Sequence, residues 1–457
     1  MNFQKICVIG LGYIGLPTAS TLAAHGVKVL GVDINPNIIE SLRKGEIHIQ
    51  EPGLRDVVTQ AIQSGNFTFS TKPEEAEVFY IAVPTPFRED EHGEYDGRQY
   101  KLADMGAVTS AATAIVPYLR KGNLVVLEST SPPRTTTDLL APILERSGLK
   151  AGSDFFLCYS PERVLPGQIM RELIENARVI GGITPESAKA GRAFYQIFVK
   201  GEIIETDATT AEMVKLMENT TRDVNIAIAN EFSRLAERFG VDVWEAIRLA
   251  NLHPRINILS PGPGVGGHCI SVDPWFFVEA APELTQLIYQ ARQVNDAQPH
   301  FVVEKVKQAF FALSGAERSR RAGDGNAAED GGLSILSSKK IAALGLAYKP
   351  DVDDLRESPA TEVVHLLQEE GAQVKVWEPF KPDANMPGID MASSLEAALD
   401  DADAILLLVR HTKFIKFVPD EIASKTKARI LVDCVNGWDT NNWQKAGFQL
   451  VRLGVRK

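Results

Sequence analysis

The stretch from Lys5 to Asp33 constrains this chain more than any other. Lys5-Ile6-Cys7-Val8-Ile9 reads as a short buried strand, and Gly10-Leu11-Gly12-Tyr13-Ile14-Gly15 follows at once. Leu16 to His25 has helical character and stops at Gly26; Val27 to Val32 then forms a second strand closed by Asp33. Strand, glycine turn, helix, strand and acid is the order a dinucleotide-binding unit requires. Gly10 permits the turn, Gly12 lets a pyrophosphate reach the backbone, and Gly15 lets helix and strand close up. The helix N-terminus stabilises phosphate charge. Asp33 can accept both ribose hydroxyls and would repel a 2′-phosphate, which favours NAD over NADP. The fingerprint alone leaves FAD open. Gly10, Gly12, Tyr13, Ile14, Gly15 and Asp33 are therefore the expected cofactor contacts.

The pattern continues. Val78 to Val83 and Leu124 to Leu127 read as further strands, each running into a polar, Pro-rich loop: Pro84-Thr85-Pro86 and Glu128-Ser129-Thr130-Ser131-Pro132-Pro133. Ligands of open α/β sheets bind outside the carboxyl ends of the strands, so Thr85, Glu128 and Thr130 are placed to face the cofactor. With 457 residues there is room for about three domains. A net charge of −11 argues against a nucleic-acid binder, which needs a basic face. Met1 to Lys5 runs straight into an apolar strand with no cleavage site, and no apolar run is long enough to span a bilayer. Cys7, Cys158, Cys269 and Cys434 are scattered with no CxxC, which fits reduced cytoplasmic thiols rather than a disulfide framework or a metal site.

The last third echoes the first. Lys340 to Tyr348 parallels Lys5 to Tyr13, Val374 to Trp377 parallels Val27 to Leu30, and Ala404–Val409 and Ile430–Asp433 supply later strands. Ala347 stands where the second glycine would, and Lys349-Pro350 replaces the rest of the fingerprint. A second dinucleotide is not expected there; a different phosphorylated ligand held by Lys349 and Arg356 is. Between the two sheets, Thr206-Asp207 caps an amphipathic run from Ala208 to Phe239, a spine helix of about 45 Å on which Lys215 and Asn219 share one face. Residues 314–338, rich in Gly, Ala and charge, read as a flexible connection. The expected division is 1–205 for an NAD-binding Rossmann domain, 206–313 for a helical, dimerising domain, and 339–457 for a second Rossmann-like domain. The fold class is α/β, with two doubly wound parallel sheets joined by the helical middle.

Pro261 to Pro274 is the oddest stretch, because Cys269 follows four glycines in a loop where backbone can close around a substrate. A loop cysteine beside an NAD site suggests covalent aldehyde oxidation: thiolate addition, hydride loss, then thioester hydrolysis. Asp273 could orient the thiol, act as a base or organise water. Adjacent residues in an extended loop tend to point apart, so His268 is expected to be structural or substrate-contacting.

These motifs together resemble the UDP-glucose/GDP-mannose dehydrogenase family, the nucleotide-sugar 6-dehydrogenases. The resemblance rests on Gly10 to Pro17, Val83 to Pro86, Glu128 to Thr130, Ser160-Pro161-Glu162-Arg163, Glu212 to Asn219, Gly266-Gly267-His268-Cys269 and Lys349 to Pro359. It implies oxidation of a sugar C6 alcohol to the carboxylate in two hydride transfers, with two NAD and no metal. It makes Cys269 the nucleophile, Lys215 and Asn219 the oxyanion stabilisers, Asp273 and Thr130 the water-positioning groups, and Glu162 the acid/base of thioester hydrolysis. It adds Arg163, Val164, Arg222, His253 and Gly266 to the substrate contacts, assigns Lys349 and Arg356 to a UDP-binding domain, and makes Arg255 a residue donated across a dimer. One departure is informative: Pro166 stands where enzymes acting on UDP-glucose carry a second glutamate. The run Pro161 to Gly167 and the run His253 to Trp275 look most like members acting on UDP-N-acetyl-D-mannosamine, with UDP-N-acetyl-D-glucosamine second and UDP-glucose third, for a surface polysaccharide precursor. A one-hydride alcohol dehydrogenase shares the first sheet and the Lys215/Asn219 helix but leaves Cys269 unexplained. A non-enzymatic NAD-binding scaffold needs none of the three.

Overall fold

The computed structural model describes residues 3–267, 269–321 and 334–456, with side chains left out over 313–321. By packing it forms two units: Met1–Asn219 with Trp275–Thr285, and Thr220–Pro274 with Gln286–Lys457.

The first unit is built on β1 (Lys5–Ile9), β2 (Lys28–Val32), β3 (Phe67–Ser70), β4 (Val78–Ile81), an exposed hairpin of β5 (Phe87–Tyr95) and β6 (Arg98–Ala103), β7 (Leu124–Leu127), β8 (Phe156–Tyr159), β9 (Arg178–Gly182) and β10 (Ile203–Asp207). Its main sheet runs β10-β9-β8-β7-β4-β1-β2-β3. All neighbours are parallel except β8 and β9. The near-continuous apolar strands follow from burial on both faces: Ile6, Cys7, Val8, Val78, Phe79 and Val126 are wholly inaccessible. Pairing of Ile9 with Val32 brings the glycine turn and Asp33 to one end of the sheet. β1 has β2 on one side and β4 on the other, so strand order reverses beside that turn.

The hairpin carries too many charges to read as a pair of strands in the sequence. It docks on the helix Asp273–Ala280 within this unit: the Phe87 ring meets Phe276 edge-on at 6.4 Å. Glu279 accepts from the Ala103 N–H at 2.8 Å.

The second unit holds β11 (Lys340–Leu344), β12 (Gln373–Trp377), β13 (Asp390–Met391), β14 (Ala404–Leu407), β15 (Ile430–Asp433) and β16 (Gln449–Arg452), ordered β13-β12-β11-β14-β15-β16. Every pair is parallel, and β11 occupies the same reversal point that β1 does.

The spine helix runs Ala208–Phe239, about 48 Å by its rise per residue. Asp207 starts it by accepting from the Thr210 N–H at 2.9 Å and the Thr210 hydroxyl at 2.6 Å. Gly240, at φ +70°, ends it. A further helix, Gln298–Arg321, extends over the first part of the segment expected to be a connection. Residues 322–333 of that segment, like His268, lie outside the described residues.

Candidate active site

The glycine turn of the first unit is shaped for a dinucleotide. A Cβ on Gly10 would sit 2.3 Å from the Ala82 carbonyl oxygen, and one on Gly15 would sit 1.8 Å from the Gly10 oxygen, so both positions demand glycine. Gly12 has nothing within 4 Å of that point, which leaves the turn open just before the helix Gly15–Ala24. No side chain caps that helix and no acid stands in its first turn. This is an N-terminus fit for a pyrophosphate. Tyr13 and Ile14, half-buried, form the entrance between the glycines. Asp33 is anchored by the Leu11 N–H at 3.0 Å and the Asn35 N–H at 2.9 Å, and its carboxylate is only partly covered, as a ribose contact must be.

The loops after β4 and β7 are tied to each other. Ser129 Oγ donates to the Val83 carbonyl at 2.7 Å and accepts from the Val83 N–H at 2.9 Å. Thr85 Oγ1 donates to the Thr130 carbonyl at 2.7 Å, leaving both threonines half-exposed at the sheet's carboxyl edge. Glu128 corrects the sequence expectation. It does not face a cofactor groove: both carboxylate oxygens are inaccessible and the side chain turns inward. A residue that ends an apolar strand can point to either face, and the alternation inside a doubly buried strand gives no hint of which.

The loop after β8 is strapped to the spine helix. Lys215 Nζ donates to the Glu162 carbonyl at 2.9 Å, and the Arg163 guanidinium pairs with Glu218 at 2.6 Å. Glu162, Arg163 and Lys215 are thus brought together, with buried Asn219 one turn beyond Lys215. The Glu162 carboxylate accepts from its neighbour's N–H at 2.6 Å and from Arg178 Nη1 at 2.7 Å. Val164 packs on the core of the unit. Two further acids hold this edge. Glu51 accepts from the Gly167 and Ile169 N–H groups, each at 2.8 Å, and fixes the far end of the loop. Glu212 accepts from Arg134 N–H, Thr136 N–H and Thr136 Oγ1. Burial raises its carboxyl above the usual range. Sequence reasoning missed Glu51 and Arg178, and gave no role to Glu212 and Glu218 although both lie in the run Glu212 to Asn219. Arg178 left a signal as a lone cation at the head of the apolar run Val179 to Gly182.

In the second unit Cys269 is exposed, whereas Cys7, Cys158 and Cys434 are buried. Its carbonyl accepts from the Asp273 N–H at 2.8 Å, so the cysteine stands directly before the helix Asp273–Ala280, with Asp273 itself buried. The glycines before it close on the chain rather than on open space. A Cβ on Gly266 would lie 2.4 Å from the Glu357 oxygen, and one on Gly267 would lie 2.7 Å from the Tyr348 ring. A cavity of about 430 Å³ adjoins them, lined by Ser260, Gly264, Lys349, Pro359 and Arg410 among others. Lys349 therefore reaches it. Arg356 does not line it: its guanidinium forks onto Asp354 at 2.7 and 2.9 Å. Arg222, His253 and Arg255 are exposed, the last two on the loop after the helix Val243–Ala250.

The second glycine turn is filled by its own sheet. Glu378, wholly buried after β12, accepts from the Leu346 N–H at 2.8 Å and the Ala347 N–H at 3.0 Å. His411 Nδ1 accepts from the Asp351 N–H at 2.8 Å, so its Nε2 carries the proton and donates to Glu378 at 3.0 Å. Glu378 thus holds the second turn through Leu346 as Asp33 holds the first through Leu11, and takes one amide more, that of Ala347. Among the described residues no cluster of His, Cys, Asp and Glu could hold a metal ion, and no helix is long and apolar enough to cross a membrane.

Comparison with known proteins decides the family. The chain matches the NAD binding domain of the UDP-glucose/GDP-mannose dehydrogenase family over residues 4–199, its central domain over 209–297 and its UDP binding domain over 342–440. The chain belongs to this family. The UDP-N-acetyl-D-mannosamine dehydrogenase of Methanocaldococcus jannaschii is 46% identical over 99% of this chain and 97% of its own length. The NDP-N-acetyl-D-galactosaminuronic acid dehydrogenase of Ralstonia solanacearum is 45% identical over 96% and 97%. Among solved structures, the UDP-D-ManNAc dehydrogenase of Pyrococcus horikoshii is similar with a TM-score of 0.86 at 36% identity, covering 99% of each chain. As a member of the UDP-glucose/GDP-mannose dehydrogenase family the chain is an NAD-dependent nucleotide-sugar dehydrogenase, which closes the FAD and scaffold readings. The cavity at Lys349 lies within the matched central and UDP binding domains.

Proposed function

We propose that this chain oxidises the C6 alcohol of UDP-N-acetyl-D-mannosamine to the carboxylate, in four electrons, through a covalent intermediate on Cys269. The observation that carries the reading is the contrast among the cysteines. Burial pushes the Cys7 thiol up to about 12 and raises those of Cys158 and Cys434, so three of the four are poor thiolates. Cys269 alone among the four is exposed, and it sits next to a helix start.

NAD supplies the hydride acceptor, used once in each two-electron step. The first step converts the alcohol to an aldehyde. Cys269 sulfur then bonds to the aldehyde carbon; the thiohemiacetal loses hydride and a proton and becomes a thioester. Water, positioned by Asp273 and Thr130, adds to the thioester carbon. Glu162 takes a proton from it and returns one to the departing sulfur. Lys215 and Asn219, one turn apart on the spine helix, stabilise the oxyanions. The cavity at Lys349 suits the UDP moiety in volume and charge; Arg356, Arg163, Val164, Arg222, His253 and Gly266 are the further substrate contacts. The identity of the sugar rests on the relatives' names and on Pro166; UDP-N-acetyl-D-glucosamine and UDP-glucose are the alternatives. The product is a precursor of surface polysaccharide, made in the cytoplasm, as four cysteines with no disulfide among them favour.

The enzyme is a homodimer on this reading. Ile228, Phe232, Leu235 and Phe239 lie on one face of the spine helix and are 43%, 40%, 45% and 75% exposed. An apolar stripe of that length invites a second copy, to whose substrate Arg255 would then be donated. Cys269→Ala tests the covalent route. Acid formation and the quenchable thioester disappear while the fold, followed by circular dichroism, is kept; a wild-type yield of acid refutes it.

A further inference from the structure

Behind the Glu162 loop lies a buried polar cluster that the proposed chemistry does not use. Glu128 follows β7, Arg178 opens β9, Tyr80 lies in β4 and Tyr195 ends the helix Pro185–Tyr195. Arg178 Nη1 donates to Glu162 Oε2 at 2.7 Å and lies 3.9 Å from Glu128 Oε1, so one guanidinium nitrogen faces two carboxyls. The Arg178 and Glu128 side chains are 1% and 2% exposed. Glu162 has a second donor in the Arg163 N–H at 2.6 Å. Among the described residues no well-aligned hydrogen bond reaches either oxygen of Glu128, whose polar neighbours besides Arg178 are the Tyr80 hydroxyl and the Glu162 carboxyl.

Charge decides what this arrangement means. With both carboxyls ionised the cluster carries one buried negative charge more than Arg178 can balance, and an uncompensated charge is strongly disfavoured there. Lys215, from the spine helix, is bonded to the Glu162 backbone carbonyl rather than to either carboxyl. Arg163 is turned to Glu218. Protonating one carboxyl makes the cluster neutral, and the proton belongs on Glu128, which has neither the guanidinium hydrogen bond nor the backbone N–H that Glu162 receives. Burial first, and the Glu162 charge second, push Glu128 well above the usual carboxylate range.

We propose that Glu128 is a positioning residue: a neutral buried carboxyl that leaves Arg178 bonded to Glu162 alone, so that the guanidinium fixes the orientation of the hydrolytic base. This rests on the reading of Glu162 given above. Glu128 neither gains nor loses a proton during turnover; the proton from water goes to Glu162 and then to Cys269 sulfur.

The test compares wild type with Glu128→Gln, which copies the protonated carboxyl and cannot ionise. A carboxyl raised in the folded state contributes its full stability below its unfolded value and loses it as pH rises toward the folded one. Wild type therefore loses ground to Glu128→Gln in urea unfolding by up to about tenfold in equilibrium constant per pH unit above about pH 5. Its infrared spectrum at neutral pH shows a protonated carboxyl band that Glu128→Gln lacks. A gap that stays flat with pH, or a band that survives in the variant, overturns the proposal. In turnover, Arg178→Gln lowers kcat with KM little changed and lets the thioester accumulate, because Glu162 loses the contact that orients it; an unchanged kcat overturns the positioning role. If Cys269→Ala still makes acid, the hydrolytic reading fails while the unfolding and infrared results stand, so the two failures are separable.

Discussion

Gly267 shows how a single position carries both fold and site. Its φ of +85° lies in the left-handed region, and a Cβ there would press on the Tyr348 ring at 2.7 Å. The ring belongs to the loop that supplies Lys349, so the residue two before Cys269 is fixed by the walls of the cavity. Gly267→Ala should lower stability by roughly 1–3 kcal/mol in urea unfolding, from backbone strain before any clash; a variant as stable as wild type would contradict this account of the loop. The glycines were legible in the sequence as places of close approach. What approaches them was not, because Tyr348, Glu357 and Pro359 are some ninety residues away in the chain. Glu128 failed in the same way: its motif marked it as part of the site, but nothing local says that its carboxyl turns into the sheet.

Among the elements, β1, β2, β4, β7, β11, β12, β14, β15 and the spine helix were legible from apolar runs and glycine punctuation, whereas β3, β9, β10, β13 and β16 were not. The run Ala208 to Phe239 is the helix the spacing predicts, start and end included. The hairpin Phe87 to Ala103 was invisible, since its residues are mostly charged and its support comes from Phe276 and Glu279, far along the chain. The spine helix also bears the apolar stripe. Phe232→Glu with Leu235→Glu should convert a dimer to a monomer in analytical ultracentrifugation, because two like charges would be buried on each side of a two-fold contact. A monomeric wild type, or a dimer indifferent to both changes, would remove the stripe from the interface.

Across the whole molecule the two sheets repeat one topology and differ at the turn. Gly12 leaves the first turn open; in the second, Ala347 replaces it and its N–H is taken by Glu378, backed by His411. Ala347 and Lys349 mark the difference in the sequence but not its cause, since Glu378 and His411 meet only in the folded sheet. Hydrogen exchange reads the asymmetry directly: NAD should slow exchange over residues 9–16 and leave 344–349 unchanged, while UDP should protect the segments around Lys349 and Pro359. Protection of 344–349 by NAD would mean that Glu378 yields its place. The chain's resemblance to nucleotide-sugar dehydrogenases could be seen from motifs alone because each motif is a backbone requirement or a reactive group; the choice of sugar depends on pocket shape and could not.

The central claim, a four-electron oxidation through Cys269, is tested most directly by counting NADH against sugar consumed, with UDP-N-acetyl-D-mannosamine, UDP-N-acetyl-D-glucosamine and UDP-glucose side by side. Two NADH and one carboxylate per sugar are expected, with the highest kcat/KM for the mannosamine nucleotide. One NADH per sugar, with an aldehyde or ketone as product, would contradict the claim.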